Sequence, residues 1–142
     1  MALIPQNEMI IVIRVVIAAL LGLAIGLQRE RRKVAQKEYG AAGLRTHAIV
    51  SVGAALITAA GILNFPIDPV RIAASIMTGV GFIGAGTVIA TQGKIKGLTT
   101  AATVWTAAAI GIAIGIGLFT SAITATIIIL ALLELSRFEK IE

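Results

Sequence analysis

Residues 98–133 run for 36 positions without a charged side chain, and a second uncharged run of 22 occupies 72–93. An α-helix rising about 1.5 Å per residue needs about 20 apolar residues to cross a hydrocarbon core of roughly 30 Å. The longer run overshoots that length nearly twofold, so it has to fold back on itself. Hydrophobic residues make up 58% of the chain and charged residues 13%, against about 25% charged in soluble domains. The pattern predicts an all-α integral membrane protein.

Five spans are expected, over about 9–27, 46–63, 72–91, 98–115 and 120–133. The last two are parted at Gly115-Ile-Gly117-Leu-Phe-Thr-Ser121, where paired glycines weaken the helix and hydroxyls suit a turn. A four-span alternative leaves the final segment in the interface. With five spans, Arg29, Arg31, Arg32, Lys33, Lys37, Arg45, Lys94, Lys96, Arg137 and Lys140 all fall on one side; Arg71 falls on the other and Arg14 lies inside the first span. The positive-inside rule then places the N-terminus outside and the C-terminus in the cytoplasm.

Met1 to Asn7 carries no Lys or Arg, so a secretory n-region is missing and the first span reads as a retained helix. The longest connection, 28–45, is a basic loop of 18 residues that can include a surface helix, with its break expected at Lys37-Glu38-Tyr39-Gly40. A single transmembrane domain over 1–142 is expected, with no C-terminal soluble domain. The net charge of +5 lies beside apolar spans, where lipid head groups and topology account for it, and no nucleic-acid partner is expected. Without cysteine there is no disulfide or thiolate site. No cofactor is expected and, with no nucleophile–base pair to assemble, no enzymatic activity.

Gly79-Val-Gly81-Phe-Ile-Gly84-Ala-Gly86 matches the G-x-G-x-x-G turn of dinucleotide-binding proteins. That site needs a preceding strand and an acid about 20 residues on, and the next acid here is Glu134. The glycines read better as packing surface. In lipid, helices associate through close backbone contact and small residues, and Gly79 and Gly86 lie on one face with Gly81 and Gly84 on the opposite one. The third span is therefore expected at the centre of the bundle, with a kinked, site-lining helix as the alternative. Gly22 and Gly26 form a second small-x-x-x-small face, repeated at Gly111 and Gly115. Trp105, two turns into its span, is expected to pack.

Arg14 is the only charge well inside a span. A charge there costs about 2.5–3.5 kcal/mol unless paired or snorkelling, so it marks either a functional site or a side chain reaching the outer interface. Asp68 is its natural partner, with Arg71 on the same side. Asp68-Pro69-Val70-Arg71 equally suits a helix start, Asp68 as cap and Pro69 in the first turn. On the cytoplasmic side Glu30, Arg45, Thr46, His47, Thr99 and Thr100 stand at three helix ends. They suit a small polar ligand or head group, or caps and an ion pair. His47 has no second His at ligand spacing, so no metal site is assigned.

Five blocks now stand in order: Gly22-Leu-Ala-Ile-Gly26-Leu-Gln-Arg-Glu30, Ala42-Gly-Leu-Arg45-Thr46-His47, Asp68-Pro69-Val-Arg71-Ile-Ala-Ala, Gly79 to Gly86, and Gly97-Leu-Thr99-Thr100-Ala-Ala-Thr-Val-Trp105. Together they resemble the membrane domain of the MgtC/SapB family. The resemblance implies a prokaryotic multi-pass plasma-membrane protein linked to adaptation to magnesium limitation and, in pathogens, to survival inside host cells. It also implies a modulator of other membrane systems, with Glu30, Arg45, Thr46, His47, Asp68, Arg71, Thr99 and Thr100 at motif positions. Many relatives continue beyond the point matching Glu142 into a small cytoplasmic domain. The partners expected are the bilayer, a second copy in a homo-oligomer (a dimer) and another membrane complex; the alternative function is transport of Mg²⁺ or another small solute through an oligomer.

Overall fold

The computed structural model describes residues 5–36, 42–65, 68–91 and 94–135. Five helices run in chain order: α1 (Gln6–Gln36), α2 (Leu44–Asn64), α3 (Pro69–Ala85), α4 (Leu98–Ile116) and α5 (Phe119–Leu135). A two-stranded hairpin, β1 (Ile89–Thr91) and β2 (Lys94–Lys96), joins α3 to α4. Helical stretches Gln6–Arg32, Leu44–Asn64 and Leu98–Ile116 are long and apolar enough to cross a membrane, while α3 and α5 have 17 residues each.

The helix ends follow local chemistry. Asp68 caps α3 by accepting from the Val70 N–H at 2.9 Å, and Pro69 occupies the first turn, where its missing N–H costs nothing. At the end of α4, Gly117 takes the left-handed conformation (φ 104°) and the Leu118 N–H reaches back to the Ala113 carbonyl at 2.8 Å. This αL cap satisfies carbonyls that the helix leaves unpaired. The turn expected around Gly115 to Ser121 is therefore a two-residue joint at Gly117 and Leu118.

Two expected element bounds need correction. The span expected at 72–91 ends as a helix at Ala85, and 89–91 pair with 94–96 as a strand; absence of charge does not separate helix from strand. The first helix also continues well past 27, to Gln36, because a run of Arg, Lys and Gln is as helix-favouring as an apolar one. The break expected at 37–40 lies outside the described residues.

The bundle centre is α2 and α4, with α1 against both. Seated on Gly22 of α1, a Cβ would lie 2.9 Å from the Ser51 Cβ; on Gly115 of α4 it would lie 2.6 Å from the Thr58 Cβ. Gly26 and Gly111 are equally tight, against Leu44 and against Ser51 and Ala54. Glycine on α1 and α4 thus brings both backbones close against α2, and the two meet at Ser51. Apolar side chains close the rest: Ala18, Ile25, Ala55, Ile110, Ile114, Ala122 and Leu133 form one cluster, and Val80, Val104, Ala108 and Ile112 belong to another.

The third span is not the central helix. Gly79 and Gly81 have open space around them, only Val80 and Gly84 of α3 are buried, Gly84 lies against Ala101, and Gly86 caps the end of α3. Glycine permits close approach without requiring it. Trp105 is likewise 48% exposed rather than packed in the core, because it points away from the α2 side of α4 that carries Ala107, Ala108 and Gly111.

Candidate functional site

At the α4 N-terminal end of the bundle, three helices converge on a buried polar cluster. Arg29 of α1, 8% exposed, donates from Nη2 to Thr100 Oγ1 at 2.5 Å. His47 of α2 is fully buried, with Nδ1 2.7 Å from the Gly43 carbonyl and Nε2 2.9 Å from Thr103 Oγ1. Thr103 Oγ1 in turn donates to the Thr100 carbonyl at 2.9 Å. Glu30, beside Arg29 on α1, accepts from the Leu44 N–H at 3.2 Å. Gly43 has no side chain to cap α2, so the α1 carboxylate provides a negative charge at that helix start.

The hydrogen bonds constrain the imidazole. A carbonyl oxygen only accepts, so Nδ1 carries a proton. The single Thr103 hydroxyl proton can go either to Nε2 or to the Thr100 carbonyl. In the first case the ring is neutral; in the second Nε2 must donate as well and the ring is cationic. The cluster ties α1, α2 and α4 together through Arg29, His47, Thr100 and Thr103.

Of the six residues expected on this face, Glu30, His47 and Thr100 come together. Arg45 and Thr99 are exposed, and Thr46 is half-buried. Arg14, Ala18, Gly22, Gly26 and Glu30 recur every four residues along α1, a ridge that leaves out Ile25 and Arg29. At 3.6 residues per turn the buried stripe of α1 is Ala18, Gly22, Ile25, Gly26 and Arg29, and the seven-residue steps from Ala18 to Ile25 and from Gly22 to Arg29 were the available signal. Thr103 was readable as one turn beyond Thr99 and Thr100, but its partner His47 was not.

At the opposite end, the expected pairing of Arg14 with Asp68 is replaced. Arg14 Nη1 donates to the Gly115 carbonyl at 2.5 Å, and its guanidinium lies beside Gly117. Asp68 is used as the α3 cap, and Arg71 is exposed. A cation at a helix C-terminus meets the negative end of the helix dipole and unpaired carbonyls. That attraction is available without folding α3 back towards α1.

A third polar contact closes the α1–α5 side: Arg32 Nη2 donates to the Leu133 carbonyl, and Gln28 Nε2 to Glu134 Oε1 at 3.3 Å. Among the described residues no three His, Asp or Glu side chains are placed to hold a metal ion.

These features meet in a known family. The MgtC family model matches residues 15–140. The chain belongs to the MgtC family. It is 43% identical over 119 residues to Protein MgtC of Salmonella typhimurium (strain LT2), covering 84% of this chain and 49% of that protein. Against the protein named "Putative magnesium transporter YhiD" of Escherichia coli (strain K12), identity is 40% over 132 residues, 87% of this chain and 59% of the relative. Protein MgtC of Brucella abortus (strain 2308) is 40% identical over 121 residues, 84% of this chain and 48% of that one. The chain spans about half to three-fifths of the length of these relatives. No solved structure matches. Family and apolar helices together make the chain a multi-pass bacterial plasma-membrane protein.

Proposed function

We propose that this chain is a regulatory or scaffold module in adaptation to magnesium limitation, acting by packing its helices against a second copy or another membrane complex. Its N-terminus lies outside and its C-terminus in the cytoplasm. The observation that carries this reading is the seam of α1, α2 and α4: at Gly22, Gly26, Gly111 and Gly115 even a methyl group would collide with α2. Such a seam holds helices rather than hydrated ions. Mg²⁺ requires hard oxygen ligands, usually including carboxylates, and keeps several waters. Two of the acids at the bundle ends, Glu30 and Asp68, serve as helix caps.

A second reading is favoured by the exposed line Arg71, Ser75 and Thr78 on α3, together with the transporter name given to the Escherichia coli relative. In an oligomer that line would border a shared axis and conduct Mg²⁺ or another small solute. Flux separates the two. Purified protein in sealed liposomes is expected to pass no Mg²⁺ beyond the leak of empty vesicles. Robust flux that disappears in Asp68→Asn would establish the transport reading instead. Crosslinking in native membranes then distinguishes self-association from a heterologous partner.

A further inference from the structure

The α3–α4 hairpin is poorly suited to either bulk solvent. Ile89 is 61% exposed, Ile95 62% and Leu98 61%, and Phe82, one turn before the end of α3, is 78% exposed. This apolar surface disfavours water. Yet a two-stranded ribbon leaves the outer edges of both strands with unpaired N–H and C=O groups, and such groups are not tolerated facing hydrocarbon. The interfacial layer, where water and acyl chains mix, accommodates both.

Length leads to the same depth. With 17 residues, α3 spans about 25 Å, short of a hydrocarbon core of roughly 30 Å. The segment directly after it therefore enters the boundary layer before reaching bulk water. Charge then selects the lipid. Between Arg71 and Glu134 the only charged residues are Lys94 and Lys96, both in β2, and that stretch holds no acid. Lys96 is exposed, and a lysine stem can lie along apolar surface while its ammonium group reaches a phosphate.

We propose that the β1–β2 hairpin is a membrane-interface anchor that binds anionic phospholipid head groups through Lys96 while Ile89, Ile95 and Leu98 enter the acyl boundary. The anchor fixes the depth of α3, of which only Val80 and Gly84 are buried.

The cysteine-free sequence makes Ile95→Cys a unique attachment point for an environment-sensitive fluorophore. The full chain is reconstituted into vesicles of phosphatidylcholine alone or of phosphatidylcholine with phosphatidylglycerol. The emission is expected to be blue-shifted relative to the free dye in buffer, and spin-labelled phosphatidylglycerol should quench it more strongly than spin-labelled phosphatidylcholine. Lys96→Gln, alone or combined with Lys94→Gln, lowers that lipid preference at least about fivefold, high salt does the same, and Lys96→Arg retains it. A water-like emission in both vesicle types overturns the interfacial placement. Equal quenching by the two lipids, unchanged by the glutamine variants, overturns the head-group assignment. Because only an exposed lysine or a hairpin residue is altered, unchanged helical circular dichroism confirms that each variant is folded.

Discussion

Arg14 and Gly115 are 101 residues apart in sequence and joined by a 2.5 Å hydrogen bond from Nη1 to the backbone carbonyl. The bond lies where α4 ends, and Gly117, two residues on, turns the chain into α5 with its backbone beside the same guanidinium. A charge placed inside an apolar helix thereby stabilises the end of another. At the other end of the bundle Glu30 does the converse, placing an anion at the start of α2. The two charged residues that bound the small-residue ridge of α1 both act as caps for neighbouring helices.

Arg14→Gln is therefore expected to destabilise the protein by about 1–3 kcal/mol, through loss of a charge-assisted bond and of the dipole interaction. Asp68→Ala should cost about 1 kcal/mol as a lost cap, and Asp68→Asn, which keeps a capping oxygen, close to nothing. If Arg14 and Asp68 are not partners, the double variant is additive to within about 0.5 kcal/mol. Unfolding of purified protein in detergent measures all four; a coupling energy well above that limit would restore the ion pair inferred from sequence.

Glycines that look alike in sequence should separate sharply. Gly115→Ala forces a Cβ to 2.6 Å from the Thr58 Cβ, an overpacking expected to cost about 1–3 kcal/mol. Gly79→Ala meets nothing within 4 Å and replaces a poor helix former, so it should be neutral or stabilising by up to about 1 kcal/mol. Melting temperatures of the two variants test this directly. Destabilisation by Gly79→Ala in native membranes but not in detergent-solubilised monomer would locate a partner on α3.

The membrane class, the glycine ridge of α1, the caps at Asp68 and Gly117 and most helix ends were legible because each rests on local chemistry. Hydrocarbon thickness sets span length, and φ > 0 calls for glycine. What was not legible depends on which faces meet. Gly79 and Gly81 announce a face that tolerates contact, yet α2, whose Ser51, Ala54, Ala55, Thr58 and Ala59 are all buried, occupies the centre. His47 finding Thr103 across 56 residues is a tertiary fact, and no spacing along either helix encodes it.

That contact has a spectroscopic consequence. With the Gly43 carbonyl as acceptor, any neutral form of His47 must be the Nδ1–H tautomer, the minority form for free histidine. As this is the only histidine, ¹⁵N resonances of His-labelled protein need no assignment, and an Nε2–H pattern would contradict the geometry. His47→Ala removes the two side-chain bonds of the ring, at about 0.5–1.5 kcal/mol each, while the Gly43 carbonyl keeps the residue-47 backbone N–H and the Thr103 hydroxyl keeps the Thr100 carbonyl. Thr103→Val removes one of those bonds and should cost less than His47→Ala.

Topology follows from the same bundle. Lys33 lies beyond the buried stripe of α1, and Lys94 is in the hairpin before α4; both belong to the end where Arg29 meets Thr100. Asn64 ends α2 at the other end, where Asn7 Nδ2 donates to the Leu63 carbonyl at 3.2 Å. Introduced singly into the cysteine-free chain, Lys33→Cys and Lys94→Cys should react with an impermeant maleimide only after the cytoplasm is opened, and Asn64→Cys in intact cells. Reaction of Lys33→Cys and Lys94→Cys from opposite sides would require an odd number of crossings between them and break the arrangement of α1, α2 and α3. Reaction of all three with the pattern inverted would keep the bundle and reverse its orientation, placing the basic α1 extension outside against the positive-inside rule.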